Sequence, residues 1–389
     1  MKKFSIHHTV LIASLGLTLL ASCSDEAIPL TKPVNEVGEA FKFTWAATAD
    51  SLQTATYNTY LGGNGTFVQD NLGNSTFNYW PNAHALDVLV DGYERTGNGV
   101  YIGRMKALIA GIKVKNGNTY NNVFNDDMIW LANASIRAYV ATNDQEYKDV
   151  ALYLWTQIKK SWSDNVFGGG ITWKQDTPKQ KNAVSNAPAA LVALRLYELD
   201  KNADDLAWAK KIYAWQKANL VDPTNGLVWD NISETNGTVT TNKDWVFTYN
   251  MGTWIGAGVR LYKTTNDQTY LNDAVKSAKT LLTSPKLTSE GVLRDEGQGD
   301  GGLFKGILVR YFTELIEEPS INSTDRESFV KFLKFNAETF YKKGIRRPAM
   351  LSSQNWNAAP SAQTDLTTQL SGVMLIEAAA KLDEEGLLK

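Results

Sequence analysis

Cysteine occurs once in the 389 residues, at Cys23, and histidine three times, at His7, His8 and His84. A lone cysteine cannot form an internal disulfide, and so few Cys and His residues exclude a Cys/His zinc site. An excess of either charge is missing too. The 39 Lys and Arg are scattered among 41 Asp and Glu, for a net charge of −2. No basic stripe marks a nucleic-acid partner. Beyond Leu20 no apolar run approaches the ~20 residues that a membrane-spanning helix needs. A Ser-His-Asp triad would have to use His84. With no metal or cofactor indicated, acid–base chemistry falls to carboxylates.

What is present begins with a separable N-terminus. Lys2 and Lys3 precede an apolar segment, Val10 to Leu20, which leads into Leu20-Ala21-Ser22-Cys23. A basic start, a short apolar core and small residues before a cleavage point read as a secretory signal. With Cys at that point the segment resembles a bacterial lipobox. The resemblance implies cleavage after residue 22 and a lipidated Cys23. Asp25 and Glu26 resemble the export tags of cell-surface lipoproteins in polysaccharide-degrading Gram-negative bacteria. The expected division is a signal over 1–22, a lipidated tether over 23–40 and one domain over 41–389. The expected location is the outer membrane, facing outward, with the lipid as sole membrane contact.

The remaining chain is 43% hydrophobic over its full length and can fill a large core. Its periodicity predicts an all-α protein of strictly alternating helices. Segments near 42–60, 99–113, 146–161, 203–219, 269–283 and 325–343 carry one charged face. Segments at 80–94, 126–140, 185–198, 249–262, 302–316 and 366–381 are apolar or small nearly all round. A helix apolar on every side is buried, and one with a charged face lies outside. Six of each predict an (α/α)6 toroid. Links from inner to outer helices are short, whereas several outer-to-inner links run to roughly twenty residues, long for a compact domain. All the long links then emerge on the face that collects the inner-helix N-termini, where binding and catalysis are expected. Alternation around Asn236-Gly237 predicts a short β-hairpin in one of these mouth loops.

That face contains VFNDDMIWL at 123–131. Asn125 reads as an N-cap, and Asp126 and Asp127 suit the positive end of the helix dipole. An inner helix, however, aims the pair at the ring interior. Successive helical residues point about 100° apart. Adjacent carboxyls then lie on the order of 5 Å apart, nearer the ~5–5.5 Å of retaining glycosidases than the ~6.5–9.5 Å of inverting ones. One acid must be ionised and the other protonated, and their repulsion drives the two pKa values apart.

FNDDMIWL, together with GGGITW at 168–173, KNAVSN at 181–186, FTYNMG at 247–252 and GDGGLFKGILVRY at 299–311, resembles glycoside hydrolase family 76. The similarity runs from about residue 45 to 380. It implies the toroid, no cofactor, and an endo-α-1,6-mannanase acting on α-mannan or its oligosaccharides. It also implies Asp126 as nucleophile and Asp127 as general acid/base. Met251 stands where family members often carry Gln. Substrate-binding candidates are Trp173 and Trp356 as sugar platforms, with Lys181, Asn182, Asn186, Asp230, Tyr249 and Asn250 for hydroxyls. The glycines before Trp173 are expected to let backbone approach the ligand. Asp300, in GQGDGGLFKG, reads as a turn residue, and that loop lacks the Gly-Lys-Ser/Thr of a phosphate loop. His84 reads as a core residue. Two alternatives remain: a lipoprotein that binds glycan without cutting it and serves a glycan-uptake system, or a transglycosylase on the same fold. Only the paired acids separate binding from cutting.

Overall fold

A computed structural model describes residues 44–388; the leader, Cys23 and the tether lie outside the described residues. Twelve α-helices alternate along the described chain. The outer set is α1 (Trp45–Tyr60), α3 (Val100–Lys115), α5 (Gln145–Lys159), α7 (Ala203–Leu220), α9 (Gln268–Thr283) and α11 (Ser323–Thr339). The inner set is α2 (Tyr79–Thr96), α4 (Asn125–Thr142), α6 (Ala183–Asp200), α8 (Thr248–Thr265), α10 (Gly301–Ile316) and α12 (Leu366–Glu384). The inner helices touch in the order α2, α4, α6, α8, α10, α12 and back to α2, so the ring is closed. This is the expected toroid.

The sequence dictates the two layers. In α9 only Leu271, Ala274, Ser277, Ala278 and Leu281 are buried, a single stripe at helical spacing. In α6 every residue from Ala183 to Leu196 is buried. The short links repeat one device. Gly97, Asn143, Lys201 and Asn266 close inner helices in the left-handed region, with φ of 63°, 56°, 53° and 59°. Two residues of the next segment follow suit: Asp144 accepts from the Glu146 amide and Asp267 from the Thr269 amide, each capping an outer helix.

Glycine sets how closely the inner helices meet. A Cβ on Gly306 would fall 2.7 Å from the Ser371 Cα, and one on Gly252 would fall 2.5 Å from the Leu308 Cα. Gly302 and Gly306, whose added Cβ atoms would meet Thr368 and Ser371 of α12, therefore serve helix contact within the ring. The predicted hairpin forms from β2 (Asn231–Thr235) and β3 (Thr238–Thr241), and β1 (Gln180–Asn182) joins it as a third antiparallel strand. Asn236 and Gly237 turn the hairpin with φ of 52° and 79°, the pairing that a two-residue turn favours.

The bore is filled. Toward the C-terminal ends of the inner helices, Arg310 of α10 binds Asp87 and Asp91 of α2, which also bind Arg137 of α4. Arg260 of α8 binds Glu314 of α10, and Arg195 of α6 reaches the same carboxylate. A cavity of about 580 Å³ opens at that end, with Asp91, Arg137, Arg260, Arg310 and Glu314 in its lining. Above them His84 packs between Trp80 and Trp130, with centroids 5.7 and 4.7 Å away. Burial pushes its pKa down to about 3, so the ring is neutral and belongs to the core as expected. No described helix is long and apolar enough to cross a membrane.

Candidate active site

Asp126 and Asp127 occupy the first turn of α4 and are partly exposed at the floor of the mouth. Asn125 does not cap the helix, contrary to the sequence reading: it is the first helical residue, and its side chain faces a neighbouring loop. Its Nδ2 donates to the Thr172 carbonyl at 2.9 Å, and its Oδ1 accepts from Ser161 Oγ at 3.0 Å. The Asn125 amide donates to the Trp173 carbonyl at 2.9 Å. This stitching delivers the Trp173 indole N–H to Asp126 Oδ2, at 3.3 Å. The Trp173 ring lies against Phe124, centroids 5.2 Å apart. The structure thus gives Trp173 a hold on an acid, where a sugar platform was expected.

The two acids are unequal. Burial pushes Asp126 up to about 7, with a smaller push from the charge of Asp300. The amides of its own helical turn and the Trp173 indole oppose that rise. Asp127 is driven well above the ordinary carboxylate range by burial, then by Asp126 and Asp300, and no hydrogen bond holds it down. Asp126 is therefore the acid that ionises first, and Asp127 the one that keeps its proton to higher pH. The pair titrates as a unit, but the hydrogen bonds break its symmetry.

Asp300 is the residue that sequence reasoning undervalued. It immediately precedes α10, as Asp126 and Asp127 begin α4, and that shared placement was the available signal. Its Oδ1 accepts the Trp80 indole N–H at 3.1 Å, tying α10 to α2 across the mouth. Trp80 is a second omission. Tyr79 beside it also faces the pair, since Asp127 adds to the burial that raises its phenol.

Asp230 is buried, not exposed in a turn, and gathers side chains from three segments. It accepts from Asn182 Nδ2 at 3.3 Å, Asn231 Nδ2 at 2.9 Å, Tyr249 Oη at 3.4 Å and Asn250 Nδ2 at 3.0 Å. Burial still raises its pKa, against the pull of these donors. Tyr249 stacks on Phe304 at 3.9 Å and 5°. After burial and Asp230, the charge of Asp126 also raises the Tyr249 phenol, so this cluster borders the acid pair. Met251 turns away behind it, where its Sδ accepts from the Val228 amide at 3.3 Å.

Three expected ligand contacts fail. Lys181 is fully buried; its Nζ donates to the carbonyls of Ser163 at 2.8 Å and Val166 at 2.7 Å, and to that of Gly169. A buried ammonium needs such acceptors, and the folded 163–170 loop supplies them. Asn186 spends its amide on the Ile171 backbone and on the Asn182 carbonyl. Trp356 has no exposed surface and packs on Phe340 and beneath Lys305 Nζ, 4.8 Å from its ring. The glycines at 169 and 170 likewise meet protein: a Cβ on either would fall within 2.6 Å of Trp162 or Trp215. Among the described residues no acid, Cys or His cluster could hold a metal ion.

The chain is similar to several known proteins. A solved α-1,6-mannanase of Salegentibacter sp. HEL1_6 is 57% identical, covering 87% of this chain and 100% of its own, with a TM-score of 0.86. An inactive variant of that protein, with two consecutive aspartates changed to asparagine, was solved with α-1,6-mannotriose. The Lin0763 protein of Listeria innocua is 33% identical over 88% of this chain and 99% of its own, with a TM-score of 0.81. The mannan endo-1,6-alpha-mannosidase DFG5 of Saccharomyces cerevisiae is 29% identical over 162 residues, 38% of this chain and 35% of that protein. The match to the model of Glycosyl hydrolase family 76 extends over residues 44–388, and the chain belongs to that family.

Proposed function

We propose that this protein is a retaining endo-α-1,6-mannanase that hydrolyses the backbone of α-mannan. The observation that carries the reading is the adjacent acid pair in the first turn of inner helix α4, with Asp126 held by the Trp173 indole and burial keeping Asp127 protonated to higher pH. The ionised Asp126 attacks the anomeric carbon of a mannosyl unit. The C1–O6 bond breaks as Asp127 gives its proton to the departing O6, leaving a glycosyl ester on Asp126. Water then attacks C1, Asp127 takes its proton, and the ester bond to Asp126 breaks. Trp173 keeps Asp126 oriented and ionisable. Asp230, Tyr249 and Asn250 line the adjoining wall, where their polar groups suit hydroxyls of the reacting sugar. The likeness to the Salegentibacter enzyme supports both the substrate and the paired acids.

Reducing-end release from linear α-1,6-mannan tests this. Wild type should cut, and Asp126→Asn and Asp127→Asn should each lose nearly all turnover. An Asp126→Asn protein cutting at the wild-type rate refutes the assignment. Product analysis with added oligosaccharide acceptor separates hydrolysis from transfer. The leader pattern further supports a lipid on Cys23 that anchors the enzyme outside the outer membrane, beside a glycan-uptake system. Loss of palmitate labelling in Cys23→Ala would bear on the anchor, and unchanged labelling would remove it.

A further inference from the structure

A second polar pocket, of about 190 Å³, opens on the mouth face among the N-termini of α2, α10 and α12. It shares Asp300 with the catalytic cleft, and that carboxylate is close enough to act on the charges of both Asp126 and Asp127. Its walls are preformed. The Asn71 amide donates to the Thr364 carbonyl at 3.1 Å, the Gly299 amide to Asp365 Oδ2 at 2.8 Å, and Gln363 Nε2 to Asp70 and Asp365, both at 3.2 Å. These bonds join the 61–78, 295–300 and 361–365 loops to one another.

The lining selects the ligand by chemistry. No lysine or arginine lines the pocket, and Asp70, Asp300 and Asp365 do, so an anion is repelled. The carboxylates do not form a group able to hold a metal among the described residues. Those of Asp70 and Asp365 are occupied by protein donors. Several groups remain unspent. Asp300 Oδ2 and the side-chain amides of Gln69 and Asn78 have no protein partner among the described residues, and the buried Thr367, also in the lining, has an unsatisfied Oγ1. Acceptors and amides without a cation suit a neutral ligand rich in hydroxyls. At about 30 Å³ per water, the space equals about six waters, the scale of one sugar ring.

We infer that this pocket is an accessory subsite that binds one neutral pyranosyl ring of the substrate, outside the linkage being cut, with Asp300 as the wall it shares with the cleft. The inference rests on the mannanase reading. The ring belongs either to a further backbone unit or to a side branch; both present the same hydroxyls.

Gln69→Trp and Asn78→Trp each fill the pocket from a wall away from Asp126, Asp127 and the Trp173 bond. Initial rates would be measured on linear α-1,6-mannosides of increasing length and on branched mannan, with melting curves to confirm folding. Two lost hydrogen bonds predict about a tenfold fall in kcat/KM on substrates that reach the pocket, and none on the shortest substrate cleaved. A fall that sets in at one linear length assigns the pocket to the backbone. A fall confined to branched mannan assigns it to a branch. Equal losses on every substrate, or no loss on any, overturn the subsite. Failure of the wild type to cut unbranched mannan overturns the mannanase reading itself.

Discussion

Replacing Trp173 with Phe removes one donor and little else. Phe retains most of the contact with Phe124, while Asp126 Oδ2 loses the indole N–H now 3.3 Å away. A hydrogen bond to a charged group is worth about 1.5–3 kcal/mol, and this long one belongs at the lower end. About 1.4 kcal/mol corresponds to one pKa unit. The bond favours the ionised carboxylate, so its loss raises Asp126 from about 7 by about one unit. Attack requires ionised Asp126, so the rising limb of kcat/KM against pH moves to higher pH by that amount. A unit below the wild-type limb the variant is about tenfold slower, whereas on the plateau the two converge. The assay is kcat/KM for linear α-1,6-mannan between about pH 5 and 9. A limb that stays in place refutes the reasoning. So does a uniform rise in KM at every pH, which would restore Trp173 as a sugar platform.

Asp127→Asn should stabilise the protein at alkaline pH while abolishing turnover. The native carboxyl holds its proton above the unfolded pKa of about 3.9, so native stability falls as pH rises from there through the raised native value. Calorimetry should find a higher Tm for the variant at pH 8, with the gain vanishing toward pH 3. Trp356→Ala should cost about 3–5 kcal/mol in urea unfolding and leave KM unchanged; a KM that rises selectively would mean the ring meets sugar. Lys181→Met strands the carbonyls of Ser163, Val166 and Gly169. It should cost about 1–3 kcal/mol and make the 163–170 loop the first site of limited proteolysis, with plateau kcat retained.

The toroid was legible because helix burial is written in residue spacing. The inner segment predicted at 126–140 is α4, Asn125–Thr142, and the outer one at 269–283 is α9, Gln268–Thr283. The acid pair was legible because helix starts on the ring interior leave few places for a carboxylate to go. Long-range partners were not. Nothing local tells that Lys181 finds its carbonyls in the 163–170 loop or that Trp356 folds inward onto Phe340. Sequence placed Asn182, Asp230, Tyr249 and Asn250 near the substrate one by one; only the fold shows that they form one hydrogen-bonded cluster. Asp300 was discounted because GDGG looks like a turn, and a turn it partly is. Its approach to Asp126 and Asp127 depends on how α10 stands relative to α4, which a linear reading cannot measure.

The arginine and aspartate side chains that meet below His84 fill the bore, among the described residues, with paired charge. On the mannanase reading proposed above, a polymer would meet the acids from the mouth, laying one link toward Asp126 and Asp127 across the charge-filled floor of the ring.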